Sequence, residues 1–172
     1  MIRIRPYRES DADSVGRLIA DTYSKFNLSF APPEQRGPFL GPFRHARSPE
    51  KSHQEAIAQV IRSAMVFVAE DGREIVGVLR GRKGRLASLF VREDHHRQGI
   101  GRRLVRRFER ECLRQGSTVI RVAATLYAIP FYAAVGYKKS TGIRSGWSFE
   151  GRGLKYQPMR KVLGPVRPGI AL

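Results

Sequence analysis

The string His96-Arg97-Gln98-Gly99-Ile100-Gly101 sets two glycines at the junction between an apolar stretch, Leu86 to Val91, and a run of helical periodicity. Glycine at such a junction lets the backbone approach an anion closely, while unpaired amides and the helix dipole supply a positive field. A phosphate or pyrophosphate suits that arrangement. The three-glycine dinucleotide fingerprint is not met, because Arg97 holds the place of one glycine, and the Walker pattern is missing as well. Taken alone, Gly99-Ile100-Gly101 is equally well a glycine-opened structural helix. Tyr132 is the other residue with chemistry to offer, since a positioned phenol can relay a proton to a leaving group. Its bland alternative is a core aromatic on a short helix. Glu70, Glu93 and Asp94 sit at strand ends and turns, where acids are ordinarily solvated.

The elements that would position these residues can be read from periodicity. Ile2 and Ile4 alternate with arginines, predicting a half-buried first strand. Ser10-Asp11-Ala12-Asp13 has capping-box form, and Val15, Leu18, Ile19, Tyr23 and Phe26 recur on one helical face. From Leu28 to Pro49, five prolines and three phenylalanines (Phe30, Phe39, Phe43) predict a long irregular loop whose rings plug the core edge or wall an acceptor site. Ser48 and Pro49 then start a second helix with Ala56, Ile57, Val60, Ile61 and Ala64 inward, ending near Ser63-Ala64. Met65–Ala69 and Ile75–Leu79 flank an Asp71-Gly72 hairpin signal, and Gly81–Gly84 turns the chain into Leu86–Val91. A helix from Gly99 to Gln115 carries Ile100, Leu104, Phe108 and Cys112 four apart, which makes the single cysteine buried filler. Thr118–Ala123 is reached through that helix and should lie parallel to the preceding strand. Pro130–Val135 makes a short helix closed by Gly136, and Tyr137–Ile143 with Leu154–Val162 form a final strand pair.

The pattern Leu86-x-x-Leu89-x-Val91, five residues, then His96-x-x-Gly99-x-Gly101-x-x-Leu104 resembles the cofactor motif of the GNAT acetyltransferases. A second motif of that family appears in order: Ala123-Ala124-Thr125, Ile129-Pro130-Phe131-Tyr132 and Gly136-Tyr137. The resemblance implies an α/β fold, a mixed and mostly antiparallel sheet with splayed parallel central strands, flanked by helices. It implies N-acetyl transfer from acetyl-coenzyme A to a primary amine by direct attack in a ternary complex, with Tyr132 as the general acid. The donor would lie against Leu89, Phe90 and Val91, its pantetheine arm pairing there like an added strand. Its pyrophosphate would lie on the amides of Arg97, Gln98, Gly99, Ile100, Gly101 and Arg102. Three departures from the family pattern stand out: His96 replaces the usual glutamine or arginine, Thr125 replaces a cofactor-binding asparagine and would bind the cofactor through its hydroxyl instead, and Ile120 stands where some relatives carry a glutamate base. No general base is therefore assigned. Phe131 and Tyr137 are read as packing.

At 172 residues and 41% hydrophobic content the chain fits one domain over residues 1–163, followed by a tail at 164–172. No stretch approaches the roughly 18 apolar residues of a membrane span, and no signal peptide is visible, so a cytoplasmic protein without membrane partners is expected. No cysteine and histidine spacing suggests a metal. The formal charge of +17 draws anions and disfavours polycationic acceptors. At pH 7 an amine with pKa about 8 is about a tenth unprotonated, against less than about a thousandth for a lysine. A chain lacking a base should thus favour a small-molecule or peptide amine that is weakly basic or anionic. Two competing readings are a non-catalytic coenzyme-binding protein and a nucleic-acid-binding protein using Arg102, Arg103, Arg106, Arg107, Arg110 and Arg114. Trp147 or Phe149 could support a homodimer.

Overall fold

The computed structural model describes residues 1–164, so all of the expected tail beyond Gly164 lies outside the described residues. The alternating first segment forms β1 (Ile2–Pro6). The start of α1 (Ala12–Thr22) departs from the expected capping box. Asp11, not Ser10, provides the anchor: its buried carboxylate accepts from the Arg8 amide at 2.8 Å and from two Arg5 guanidinium nitrogens at 2.8 and 2.9 Å. Burial alone would raise the Asp11 pKa, but these donors outweigh it and hold the carboxyl below its usual range. A π-helical turn, Tyr23–Asn27, extends α1.

The stretch from Leu28 to Pro49 is more regular than its prolines suggested. It contains 3-10 turns at Pro33–Gln35 and Gly41–His45 around α2 (Gly37–Leu40). In each, a proline occupies one of the first two positions, where a missing amide costs nothing and a fixed φ favours the turn. Phe39 and Phe43 are buried, whereas Phe30 is 56% exposed. The next helix, α3 (Lys51–Ile61), begins after Glu50 rather than at Ser48, and Ala56 and Ala64 are exposed instead of inward.

A meander follows: β2 (Met65–Asp71), β3 (Glu74–Arg82) and β4 (Arg85–Val91), turning at Gly72 and Gly84 with φ of 62° and 78°. Arg80 of β3 donates to the carbonyls of Val60 and Ile61, so a positive charge meets the C-terminal end of α3. The chain crosses through α4 (Ile100–Arg114) to β5 (Val119–Thr125), parallel to β4. Then come α5 (Ile129–Ala134), β6 (Lys138–Lys139), β7 (Arg144–Ser148) and β8 (Gly151–Val162). The expected final strand pair is redistributed. Only two residues of the first segment pair, because Phe149, at φ 52°, closes a separate β7–β8 hairpin that takes the rest of the long β8 edge.

The sheet runs β1-β2-β3-β4-β5-β8-β6, with β7 on β8. One apolar cluster packs α4 and α5 on one face around Leu104, Phe108, Ile120 and Met159. The other packs α1 and α3 around Val15, Ile57, Val78 and Phe90. The parallel strands β4 and β5 pair only at Arg85–Arg121 and Leu86–Val122. Beyond that point they carry no partner on the facing side, and the sheet opens into a V.

Candidate active site

The approach to α4 has the backbone of an anion nest. Arg97 and Gly99 both have positive φ, 62° and 79°, and no carbonyl among the described residues outside α4 accepts from the amides of residues 97–102. No side chain caps α4 either. Exposed amides at a helix start carry partial positive charge and attract phosphate oxygens. Gly99 is needed for its conformation, since a Cβ there would meet nothing within 4 Å. Gly101 is needed for space: a Cβ there would lie 3.0 and 3.1 Å from the Phe131 ring. Phe131 thus rests directly on the first turn of α4.

That contact sets the place of Tyr132, the next residue on α5. Its ring is 4% exposed and lies edge-on to Phe131 and Tyr137, with centroids 5.2 and 5.7 Å away. Burial pushes the phenol pKa far above its usual value, so the group stays protonated. Tyr137 is bound into the core: its hydroxyl donates to Glu109 at 3.1 Å, and Glu109 also accepts from Lys161 at 3.0 Å. Leu89, beside Gly101, and Val91 lie on the α4 side of the V, and Phe90 is buried in the opposite cluster.

Three contacts at the mouth of the V were not legible in the motifs. His96 donates from Nε2 to the Val91 carbonyl at 2.6 Å, so this carbonyl is not the free edge group expected from the sequence. Phe26, from the π-helical turn, packs against His96 beyond β4 and against Tyr127 beyond β5, at 5.0 and 5.2 Å. Asn27 donates to the Thr125 hydroxyl at 2.6 Å. An amide side chain therefore reaches the Thr125 position from α1's extension. Nearby, Tyr23 donates to Ser148 at 2.7 Å, and Ser148 donates to the Phe39 carbonyl at 2.8 Å, tying α1 to the last hairpin. Phe39 covers Gly151 and Phe149 covers Gly41, two faces where any Cβ would collide with a ring.

The candidate bases are all engaged. Glu70 pairs with Arg5, Glu93 with Lys25 at 2.6 Å, and Asp94 with Arg92 at 2.7 Å. The Asp94 carboxyl is held well below the usual range by hydrogen bonds from Arg92 and then His95. Ile120 is fully buried in the core. Cys112 is buried too. A cleft of about 820 Å³ opens beside the V, lined on one side by Arg17, Lys25 and Phe26 and on the other by Arg92, Glu93 and Asp94. None of the described helices is long and apolar enough to cross a membrane.

A family model described as an acetyltransferase (GNAT) domain matches residues 33–163. No curated protein compared by sequence matches the chain. Among solved structures, a GCN5-related N-acetyltransferase from Rhodopseudomonas palustris superposes with a TM-score of 0.74 at 20% identity, covering 94% of this chain and 95% of that one. PaiA N-acetyltransferase from Thermoplasma acidophilum, in complex with coenzyme A, gives 0.65 at 17% identity, covering 94% and 99%. An aminoglycoside 6'-N-acetyltransferase complexed with coenzyme A gives 0.58 at 20% identity, covering 96% and 99%.

Proposed function

This chain belongs to the acetyltransferase (GNAT) family and is an acyltransferase, and we propose that it moves the acetyl group of acetyl-coenzyme A to a primary amine that attacks directly. The observation that carries this reading is the row of unpartnered amides at residues 97–102 opening onto the V between β4 and β5. Arg97, Gln98, Gly99, Ile100, Gly101 and Arg102 would hold the pyrophosphate, and the β4 edge at Leu89, Phe90 and Val91 would take the pantetheine arm. Because His96 already occupies the Val91 carbonyl, the arm has fewer acceptors there unless the imidazole turns away. Thr125, oriented by Asn27, keeps its own hydroxyl hydrogen for a ligand acceptor.

The bound donor supplies the thioester carbonyl. Burial holds the Tyr132 phenol protonated, and it donates a hydrogen bond to the departing sulfur, which leaves as a thiolate and is balanced by the proton that the attacking nitrogen sheds. Phe131, seated on Gly101, fixes Tyr132 relative to the pyrophosphate loop. The three acids considered as candidate bases, Glu70, Glu93 and Asp94, are ion-paired, so none of them is free to deprotonate an incoming ammonium. The acceptor is therefore an amine with an appreciable neutral fraction, weakly basic or anionic, and the +17 charge favours the latter.

A panel of amines assayed for acetyl-coenzyme A-dependent thiol release tests this. α-Amines of amino acids and acidic peptides should turn over faster than spermidine or lysine-rich peptides. The opposite ranking refutes the acceptor class, and tight coenzyme binding without turnover on any amine refutes catalysis.

A further inference from the structure

The face of the sheet opposite α4 carries a line of positive charge that the acetyl-transfer reading does not use. Arg82 is in register with Arg85, Arg85 with Arg121, Arg121 with Arg160, and Arg160 with Lys138. Residues in register share a face, so five cations form one row across β3, β4, β5, β8 and β6. Their chain neighbours confirm the side. Gly81, Leu86, Ile120, Met159 and Tyr137 all face α4 or the core on its side, which turns the row outward. Every member is exposed, and among the described residues none is in an ion pair.

Like charges placed directly opposite one another destabilise a sheet. Cations elsewhere, such as Arg5, Arg47, Arg62 and Lys161, meet carboxylates, whereas the five of this row face one another. Along β5 and β8, the next pair on this face is Ala123 and Pro158, which leaves a flat track beside the charges. With strands about 4.8 Å apart, four intervals give a row of about 19 Å. A row of five separate cations suits a flexible polyanion that can meet them with up to five phosphates of one strand. Small anions would need only one or two of these side chains.

We propose that this row is a sequence-independent docking strip for the phosphate backbone of a nucleic acid. It differs from the surface suggested by the arginines of α4, where Arg107 lies over the Phe67 ring at 5.0 Å and Arg114 pairs with Glu111. The strip does not depend on acetyl transfer.

The test is fluorescence anisotropy of the whole protein with a labelled 12-nucleotide single-stranded RNA, titrated at several potassium chloride concentrations. Five contacts on a single strand give a log K against log salt slope of about −3.5, so affinity falls about 10²-fold between 50 and 200 mM salt. Arg121→Gln with Arg160→Gln should shift the slope to about −2.1, reducing that fall to about 20-fold. The paired α4 variant, Arg106→Gln with Arg110→Gln, should keep the wild-type slope. The melting midpoint of the row variant should equal or exceed the wild type, because only repulsion is removed; equality or gain shows that any binding loss is not unfolding. A wild-type slope in the row variant, or loss confined to the α4 variant, overturns the proposal. So does competition by polyglutamate as strong, charge for charge, as by unlabelled RNA, since that would make the partner an acidic protein.

Discussion

Replacing Gly99 by glutamate separates the conformational from the electrostatic role of the loop. At φ 79° any L-residue is strained, at a cost of about 1–2 kcal/mol, but nothing lies within 4 Å of a new Cβ, so the side chain has room to extend. This strain is present with and without ligand, so it should appear in the melting temperature and cancel from a dissociation constant. The new carboxylate behaves otherwise. It would itself be attracted to the amides of residues 97–102, and a doubly charged pyrophosphate bound there would face it at a separation taken as about 5 Å. With an effective dielectric between about 20 and 80, each charge pair costs about 0.8–3 kcal/mol. Two pairs then weaken binding by about 1.6 kcal/mol at the least, or about 15-fold. Gly99→Gln supplies the matched control, with equal strain and reach and no charge, and should bind within about fivefold of wild type. Calorimetry with coenzyme A on all three proteins, each checked by thermal melting, reads the difference. If Gly99→Glu binds as Gly99→Gln does, the pyrophosphate does not sit on the start of α4.

Tyr132→Phe should lower turnover about 10²-fold while leaving coenzyme affinity and the melting temperature unchanged; the same rate in both proteins would return Tyr132 to a packing role. Because burial keeps the phenol protonated, the wild-type rate should show no alkaline limb that the phenylalanine variant lacks. His95 gives a stability test. Its imidazole bridges Asp94 at 2.8 Å and Asp71 at 2.9 Å, which raises its pKa, Asp94 contributing first. A raised folded pKa contributes stability that is complete below the unfolded value of about 6.5 and is lost as pH climbs through the higher folded value. The wild-type melting temperature should therefore fall from about pH 6.5 upward relative to His95→Gln, and parallel curves would show that the bridge contributes nothing.

Most of the scaffold was legible because it rests on local patterns. The Asp71-Gly72 hairpin, the four-residue spacing from Ile100 to Cys112 and the β-branched run before Thr125 each specify an element within a dozen residues. The parallel β4–β5 arrangement followed from the helix between them. What sequence reasoning missed depends on distant partners. Asp11 rather than Ser10 anchors the start of α1 because Arg5, on a neighbouring strand, supplies a charged donor to it. Phe39 finds Gly151 on the last hairpin and Gly41 receives Phe149 from it, each more than a hundred residues away, and that pairing has no local signature. Phe26 and Asn27 look like the ragged end of a helix until α1 continues through a π turn and brings them over the V.

Gly101 shows why a motif cannot be divided cleanly into chemistry and packing. Its place in the loop proposed to hold the pyrophosphate suggests a residue kept small for a ligand, yet the nearest obstacle to a Cβ is the Phe131 ring at 3.0 Å. A Cβ there would press on the Phe131 ring, and a displacement of Phe131 reaches Tyr132, because the two are adjacent on one short helix. The loop proposed to hold the donor and the phenol proposed to hydrogen-bond its sulfur are thus linked by a single ring-on-glycine contact. A loss of turnover in Gly101→Ala with coenzyme affinity retained would follow from that link. It also gives a physical reason for the two motifs to occur together in this chain: the second can be placed only where the first leaves room for it.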